Sequence, residues 1–373
     1  MVKIGFDGTR AFAENKTGIG WYCFYLIKSF FRLTKKKKDC QFILYTNKPF
    51  PKIKHLLEDI PDNWQVVYLA WPFRFFWTQI RFSLELLFNP IDILFVPGYG
   101  LPLICPKSSF FTVHDLGFER FKNFYSLSQR FLLYFTYRRG VKKAKKIIVP
   151  SQFTKDELIS VYNLNPGNIE VAPLGYDDKI FFYKEGSSLE DEKVVYSYGL
   201  EPKKYFLYVG AVNKKKNVDF LVSVYQKFIE KSNLSVKLAL VGPDFASLKH
   251  KYFGKDNLVK VPYLKREHLS VFYRQALAFI FPSLYEGFGL PLLEAMACGC
   301  PVIASSIPPF KEIGQKDIFL YFDPRSEEQL LSCLEKIVQS ADLRARMKKK
   351  GLKRVKNYSW DNCAFKILKA MGI

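Results

Sequence analysis

Long apolar runs are missing from this 373-residue chain. Its most hydrophobic stretch, WPFRFFWTQIRFSLELLF from Trp71 to Phe88, is broken by Arg74, Arg81 and Glu85. A membrane-spanning helix needs about 20 mostly apolar residues, so a span is not expected. Paired cysteines are missing too. The seven (Cys23, Cys40, Cys105, Cys298, Cys300, Cys333 and Cys363) are odd in number and scattered, with no C-x-x-C pair. Cys298 and Cys300 lack a second ligand pair, which argues against zinc, and free thiols fit a reducing compartment. The opening MVKIGFDGTR enters a strand-like pattern without the apolar region of a signal peptide, so a cytoplasmic location is the expectation. Acidic residues are the scarcer charge: 57 Lys and Arg against 35 Asp and Glu leave a formal charge of +22. That excess suits an anionic partner (nucleic acid, an anionic membrane face or a phosphorylated substrate) or simply a lysine-rich solvated surface. No nucleic-acid-binding module is recognisable, and the basic residues are spread over loops and helices, which weighs against nucleic acid.

What is present describes a globular α/β protein. Hydrophobic residues make up 49% and charged residues 25%, which excludes disorder. The length exceeds one ordinary core and predicts two domains. Apolar runs KIGFDG, FILYT, WQVVYLA, IDILFVPG, FFTVHD, KIIVPS and IEVAPLG alternate with helical patterns in the first half. A second series, YFLYVG, VKLALVG, LVKVPYL, LAFIFPS, PVIAS and IFLYFD, follows the charged segment YDDKIFFYKEGSSLEDEK, which reads as the connection between domains. Continuous apolar strands alternating with helices predict parallel sheets covered on both faces. Ligands are then expected at the carboxyl ends of the strands and in a cleft between the halves. The Lys35–Lys38 run is the one low-complexity patch, and no short repeat is visible.

The stretch FPSLYEGFGLPLLEAMACGCPVIAS, Phe281 to Ser305, carries the chemistry. It reads as strand, glycine loop, helix and strand, with Pro291 suited to a first helical turn and Gly299 to a helix end. Backbone N–H groups at such a helix start bind anions, and glycines let a phosphate come close. A carboxylate beside a phosphate would repel it, so Glu286 and Glu294 must face something neutral. Sugar hydroxyls fit, because one carboxylate accepts two of them. A nucleotide sugar offers hydroxyls at both ends with a diphosphate between, in the order of the motif.

This segment resembles the E-x7-E motif of the family 4 retaining glycosyltransferases, and the resemblance covers nearly the whole chain. It implies the GT-B fold: two Rossmann-like doubly wound domains facing a cleft, with a C-terminal helix crossing back to the first. The implied boundaries are 1–176 for acceptor binding, 177–357 for the nucleotide sugar and 358–373 for the returning helix. By the same resemblance Glu286 holds the transferred sugar, Gly287, Phe288, Gly289 and Leu290 the diphosphate, and Glu294 the ribose hydroxyls. YVGAVNKKKNVDFLV matches the family's glycine-ended strand and basic loop, with Lys216 as its lysine and Lys215 where arginine is usual. Lysine there forgoes the bidentate fork of arginine. ENKTGIGWYCFYLI matches the first glycine loop, so Gly18 and Gly20 would approach the donor, with Trp21 in place of the usual arginine. FFTVHDLGFERF places His114 where it would bond the sugar or phosphate. Ser151 and Thr154 of VPSQFTKDEL read as helix-start residues. In YSWDNCAFKILKAMG, Trp360, Ala364 and Leu368 lie at helical spacing on a packed face.

The implied enzyme is a retaining, metal-independent hexosyltransferase that needs no cofactor beyond its nucleotide diphosphate sugar donor, with GDP-mannose the leading guess. Its acceptor would be a glycan or polyprenyl-linked glycan in surface polysaccharide or lipopolysaccharide synthesis. The rivals are a hydrolase or epimerase on a related fold and a non-catalytic nucleotide-sugar-binding subunit. Arg138, Arg139, Lys142, Lys143, Lys145 and Lys146, with the aromatics of Trp71 to Phe88, suit the surface of an anionic bilayer. The expectation is a peripheral enzyme on the inner face of the membrane.

Overall fold

The computed structural model describes residues 1–57, 59–73, 76–98, 100–186, 188–232, 234–243, 245 and 257–373, with the backbone alone at Asn123 and Gln129. The chain divides into two units, Met1–Gly175 with Ser359–Ile373, and Tyr176–Tyr358.

The first unit holds β1 (Val2–Asp7), β2 (Cys40–Thr46), β3 (Trp64–Tyr68), β4 (Ile93–Val96), β5 (Ser108–Thr112), β6 (Lys146–Val149) and β7 (Ile169–Val171). They form one parallel sheet in the order β3-β2-β1-β4-β5-β6-β7. The inner strands are apolar on both faces, as helix-covered parallel strands must be: Phe42, Ile43, Leu44 and Tyr45 of β2 are all buried. On one face Phe6 packs against Phe30 and Trp64, with ring centroids 4.7 and 5.0 Å apart. The C-terminal helix Trp360–Met371 lies against the helix Gly18–Thr34 of this unit, burying Trp360, Ala364 and Leu368. Trp360 stacks on Tyr25 at 5.4 Å. A methyl group at Gly175 would sit 2.1 Å from the Trp360 backbone nitrogen, so only glycine lets the chain pass there.

The second unit holds β8 (Tyr205–Val209), β9 (Lys237–Val241), β10 (Leu258–Val261), β11 (Ala278–Phe281), β12 (Val302–Ser305) and β13 (Leu320–Phe322). Its parallel sheet runs β10-β9-β8-β11-β12-β13. Both units are thus doubly wound, the α/β class that the alternating apolar runs predict. Strand order reverses between β1 and β4 in one sheet and between β8 and β11 in the other. The loops leaving those strands form the crevice where doubly wound sheets bind ligands.

Two sequence readings change. The segment read as a connection belongs to the second unit: Phe181 is fully buried, its ring 6.0 Å from that of Tyr273, and Leu189–Tyr196 is a helix. The apolar side chains inside this charged stretch pull it into the core. The aromatic stretch from Trp71 is likewise divided. It forms a π-helical turn, Trp77–Arg81, leading into a helix, Phe82–Phe88. Trp77 and Phe82 join the core, whereas Phe73 and Phe76 are exposed. Arg74 and Phe75 lie outside the described residues. Among the described residues no helix is long and apolar enough to cross a membrane.

Candidate active site

In the second unit the loops after β8 and β11 meet across the switch point. The backbone N–H of Leu284 donates to the Lys215 carbonyl at 2.9 Å, tying one loop to the other. Asn213 fixes the basic loop from within, its side chain accepting from the Lys216 backbone N–H at 3.0 Å. Asn217 then turns left-handed (φ +58°) and donates to the Pro324 carbonyl. The result directs Lys216 at the motif: its Nζ lies 2.5 Å from Glu286 Oε1 and 4.9 Å from the centre of the Phe281 ring. Both side chains of the pair are mostly covered, at 20% and 12% exposure, so their attraction is less screened than on an open surface.

Beyond Glu286 the chain passes Gly287 and Phe288 to Gly289, where φ is +139°, a conformation open to glycine. A methyl group there would also meet Leu292 at 2.8 Å and Phe310 at 3.0 Å. The helix Leu290–Ala297 follows, with Pro291 in its first turn, no acidic residue there and no side chain capping it. Pro291 has no N–H to offer, and the Leu292 N–H already donates to the Gly289 carbonyl at 3.0 Å.

Glu294, on that helix, is 4% exposed. Oε1 accepts from Arg266 Nη2 at 3.0 Å and Oε2 from the Tyr273 hydroxyl at 3.3 Å. Burial pushes its pKa up, opposed by the Arg266 charge and by both hydrogen bonds. Two acceptor sites are used of the roughly four a carboxylate offers. Sequence reasoning missed Arg266 and Tyr273. The signal was present: residues 266 and 273 stand two turns apart on one face of the helix Arg266–Gln275. An arginine on an inward helical face implies a buried carboxylate partner. The Arg266 guanidinium also lies 4.6 Å from the centre of the Phe181 ring. Lys215 stands beside Tyr285, Nζ 6.0 Å from the ring centre.

Of the predicted residues of the first unit, Gly18, Gly20 and Trp21 follow β1 and His114 follows β5, with the Tyr22 and His114 rings 4.7 Å apart. Gly18 opens the helix Gly18–Thr34, and a methyl group added there meets nothing within 4 Å. Gly20 is tighter, 3.1 Å from Lys16 Cβ and 3.2 Å from the Arg10 carbonyl oxygen by the same test. Trp21 stacks on Tyr25 at 5.7 Å. His114 follows β5. Its Nε2 lies 2.9 Å from the Pro97 carbonyl oxygen, an acceptor, so Nε2 carries the proton and Nδ1 is the basic nitrogen. Burial lowers its pKa, against the Pro97 bond and the charge of Asp115, which raise it. On acidification the unfolded chain therefore takes this proton first. Stability should fall as pH drops below about 6.5, with no contribution from this residue above it. Urea titrations across that range should show a steeper acid loss for wild type than for His114→Gln.

Among the described residues no group of three or more His, Cys, Asp or Glu side chains could hold a metal ion. Ser151 caps the helix Gln152–Tyr162, accepting from the Thr154 N–H at 3.1 Å, the structural role read from sequence.

Two doubly wound units, each with a glycine loop or basic loop after a switch-point strand, are the architecture of the GT-B fold. Comparison with known families agrees. The family description "Glycosyl transferases group 1" matches residues 192–354, and "Glycosyltransferase Family 4" matches residues 31–179. The chain belongs to the family 4 glycosyltransferases of the GT-B fold. It is 29% identical to the O-antigen chain mannosyltransferase B of Escherichia coli over 62% of this chain and 61% of that protein. It is 27% identical to the O-antigen chain mannosyltransferase RfbU of Salmonella typhimurium, over 79% of this chain and 76% of that protein. In fold it is similar to WaaG, a glycosyltransferase involved in lipopolysaccharide biosynthesis. That match has a TM-score of 0.75 and 16% identity, covering 100% of this chain and 99% of the other.

Proposed function

We propose that the protein is a retaining, metal-independent hexosyltransferase that moves mannose from GDP-mannose to a hydroxyl of a glycan or polyprenyl-linked glycan, in O-antigen or related surface polysaccharide synthesis. The observation that carries this reading is the Lys216–Glu286 pair at the β8/β11 switch point, beside an uncapped helix start. It sets a cation for a leaving diphosphate and a carboxylate for sugar hydroxyls within one small space. The named mannosyltransferase relatives support the sugar.

In the proposed reaction the acceptor oxygen attacks the anomeric carbon on the face from which the diphosphate departs. The carbon–diphosphate bond breaks, the new glycosidic bond forms, and the acceptor's proton passes to the departing phosphate oxygen. Charge grows on the diphosphate as it leaves. Lys216, helped by Lys215 and the amides from Gly287 to Leu290, stabilises that charge through groups already in place. Glu286 orients the hexose and forms no bond to carbon. Glu294, held by Arg266 and Tyr273, offers its remaining lone pairs to the ribose. Such an enzyme meets its lipid-linked acceptor at the inner face of an anionic membrane.

Thermal denaturation against a panel of nucleotide sugars tests the donor. GDP-mannose at 100 times its dissociation constant should stabilise the protein by about 2.7 kcal/mol. Stabilisation by a uridine or thymidine sugar instead, with none by GDP-mannose, would remove this donor.

A further inference from the structure

The first unit carries two helical faces that are apolar yet exposed. On the helix Leu127–Lys143, Tyr137 and Val141 point into the core. Leu127, Phe131, Leu132, Tyr134 and Phe135 face outward, with Leu127 80% and Phe131 75% exposed. The second face comes from the π-helical turn and the helix Phe82–Phe88. Phe82 and Leu86 are buried, while Ile80, Leu84, Leu87 and Phe88 stand out in the 3–4 spacing of one stripe. The loop 101–104 joins the two. Arg139 donates to the carbonyls of Pro102, at 2.8 Å, and Leu103, and Ser83 Oγ accepts from the Ile104 backbone N–H at 3.2 Å. The side chains of Leu103 and Ile104 are themselves exposed. Arg139, expected from sequence to meet a membrane, is therefore spent as a clamp that holds this loop between the helices.

Monomeric proteins rarely leave such an area open without a use for it. Its charge says which use. The Leu127–Lys143 helix contains no acidic residue and ends in Arg138, Arg139, Lys142 and Lys143. Arg138 lies 4.7 Å above the Tyr134 ring, where aromatic and cationic groups sit side by side. Glu85, on the other stripe, is neutralised by Arg81 at 3.1 Å and also accepts from Asn89. A cavity of about 330 Å³ opens beside the apolar helix face, lined by Phe118, Leu127, Phe131 and Tyr134 with Lys122 and Arg130. Glu119 also lines it, and accepts from the Tyr162 hydroxyl at 3.1 Å. Exposed aromatics and leucines with basic charge in excess beside them match the boundary between anionic headgroups and acyl chains.

We infer that the outward faces of the Trp77–Phe88 and Leu127–Lys143 segments, bridged by the loop 101–104, form one surface that inserts into the headgroup–acyl boundary of an anionic bilayer. This rests on the membrane-facing part of the proposed function and specifies which side chains enter and that insertion, beyond charge attraction, holds the protein there.

Sedimentation with phosphatidylcholine vesicles, with and without phosphatidylglycerol, tests it on the full chain. Wild type should bind the anionic vesicles and retain part of that binding at high salt. Phe131→Ser with Phe135→Ser should weaken it at least about tenfold, since each change removes a large apolar side chain from the bilayer. Transfer to a soluble acceptor should be unchanged, which also shows that the variant folds. Phe131→Trp should fluoresce at shorter wavelength on anionic vesicles. If wild type binds no vesicle, the membrane reading and this surface fall together, while the glycosyltransferase reading stands on its soluble activity. If wild type binds and the serine variant binds equally, with no shift at Trp, the membrane reading survives and this surface is wrong. A concentration-dependent dimer that the serine substitutions abolish makes the face a protein interface and overturns the inference.

Discussion

Lys216→Ala is expected to lower kcat about 100- to 1,000-fold, the scale for removing one preorganised contact to charge that develops in a transition state. Lys215→Ala should do far less. The two lysines are adjacent in sequence, but Lys216 Nζ lies 2.5 Å from Glu286, whereas Lys215 Nζ lies 6.0 Å from the centre of the Tyr285 ring. A loss at Lys216 that falls on kcat and leaves donor KM nearly intact marks stabilisation of the leaving group and not simple donor binding. Glu286→Ala should abolish transfer at saturating donor while the protein keeps its melting cooperativity. The Glu286 side chain lies on a loop and pairs with Lys216, outside the packed strands and helices, so the fold should persist without it. Equal, small effects at both lysines would leave the basic loop as ordinary surface.

Arg266→Ala has the largest expected effect on stability, about 3–5 kcal/mol, because it strands the Glu294 carboxylate in the core. Arg266 and Glu294 side chains are 8% and 5% exposed, so water does little to screen the loss. The effect should depend on pH. Burial already raises the Glu294 pKa, and Arg266 is the largest cause holding it down. Without Arg266 the native carboxyl keeps its proton to higher pH than the unfolded one, so variant stability should fall as pH rises from about 4.5 towards neutrality. Urea titrations from acid to neutral pH should show the gap between variant and wild type widening. Arg266→Met with Glu294→Met should be milder than either single change, since an apolar pair removes both charges together. A single-variant cost near zero would mean that the pair is solvated and that Glu294 is not held in place by it.

The fold class was legible because parallel strands are buried on both faces and so read as continuous apolar runs, as FILYT and LAFIFPS do. The glycine loops were legible because Gly289 occupies a backbone conformation that other residues adopt only under strain. Partners brought together from distant elements were not. Nothing local to Glu294 says that Arg266, 28 positions away, occupies one of its oxygens. The Lys216–Glu286 contact spans 70 positions and follows from the adjacency of β8 and β11, which sequence order hides. The aromatic stretch from Trp71 failed for a related reason. Composition counts rings, and only the turn of the helix decides that Trp77 and Phe82 face the core while Phe88 faces outward.

The central claim is acceptor-dependent transfer by a site in which Lys216 and Glu286 act on opposite sides of the bond that breaks. The most direct measurement incubates the full chain with GDP-mannose and a mannose-terminated acceptor in the presence of EDTA, following nucleotide release and the product's anomeric proton by NMR. GDP release is expected only when acceptor is present, with a product of the donor's anomeric configuration and no rate loss to the chelator. GDP release at the same rate without acceptor, or a product of inverted configuration, would contradict it.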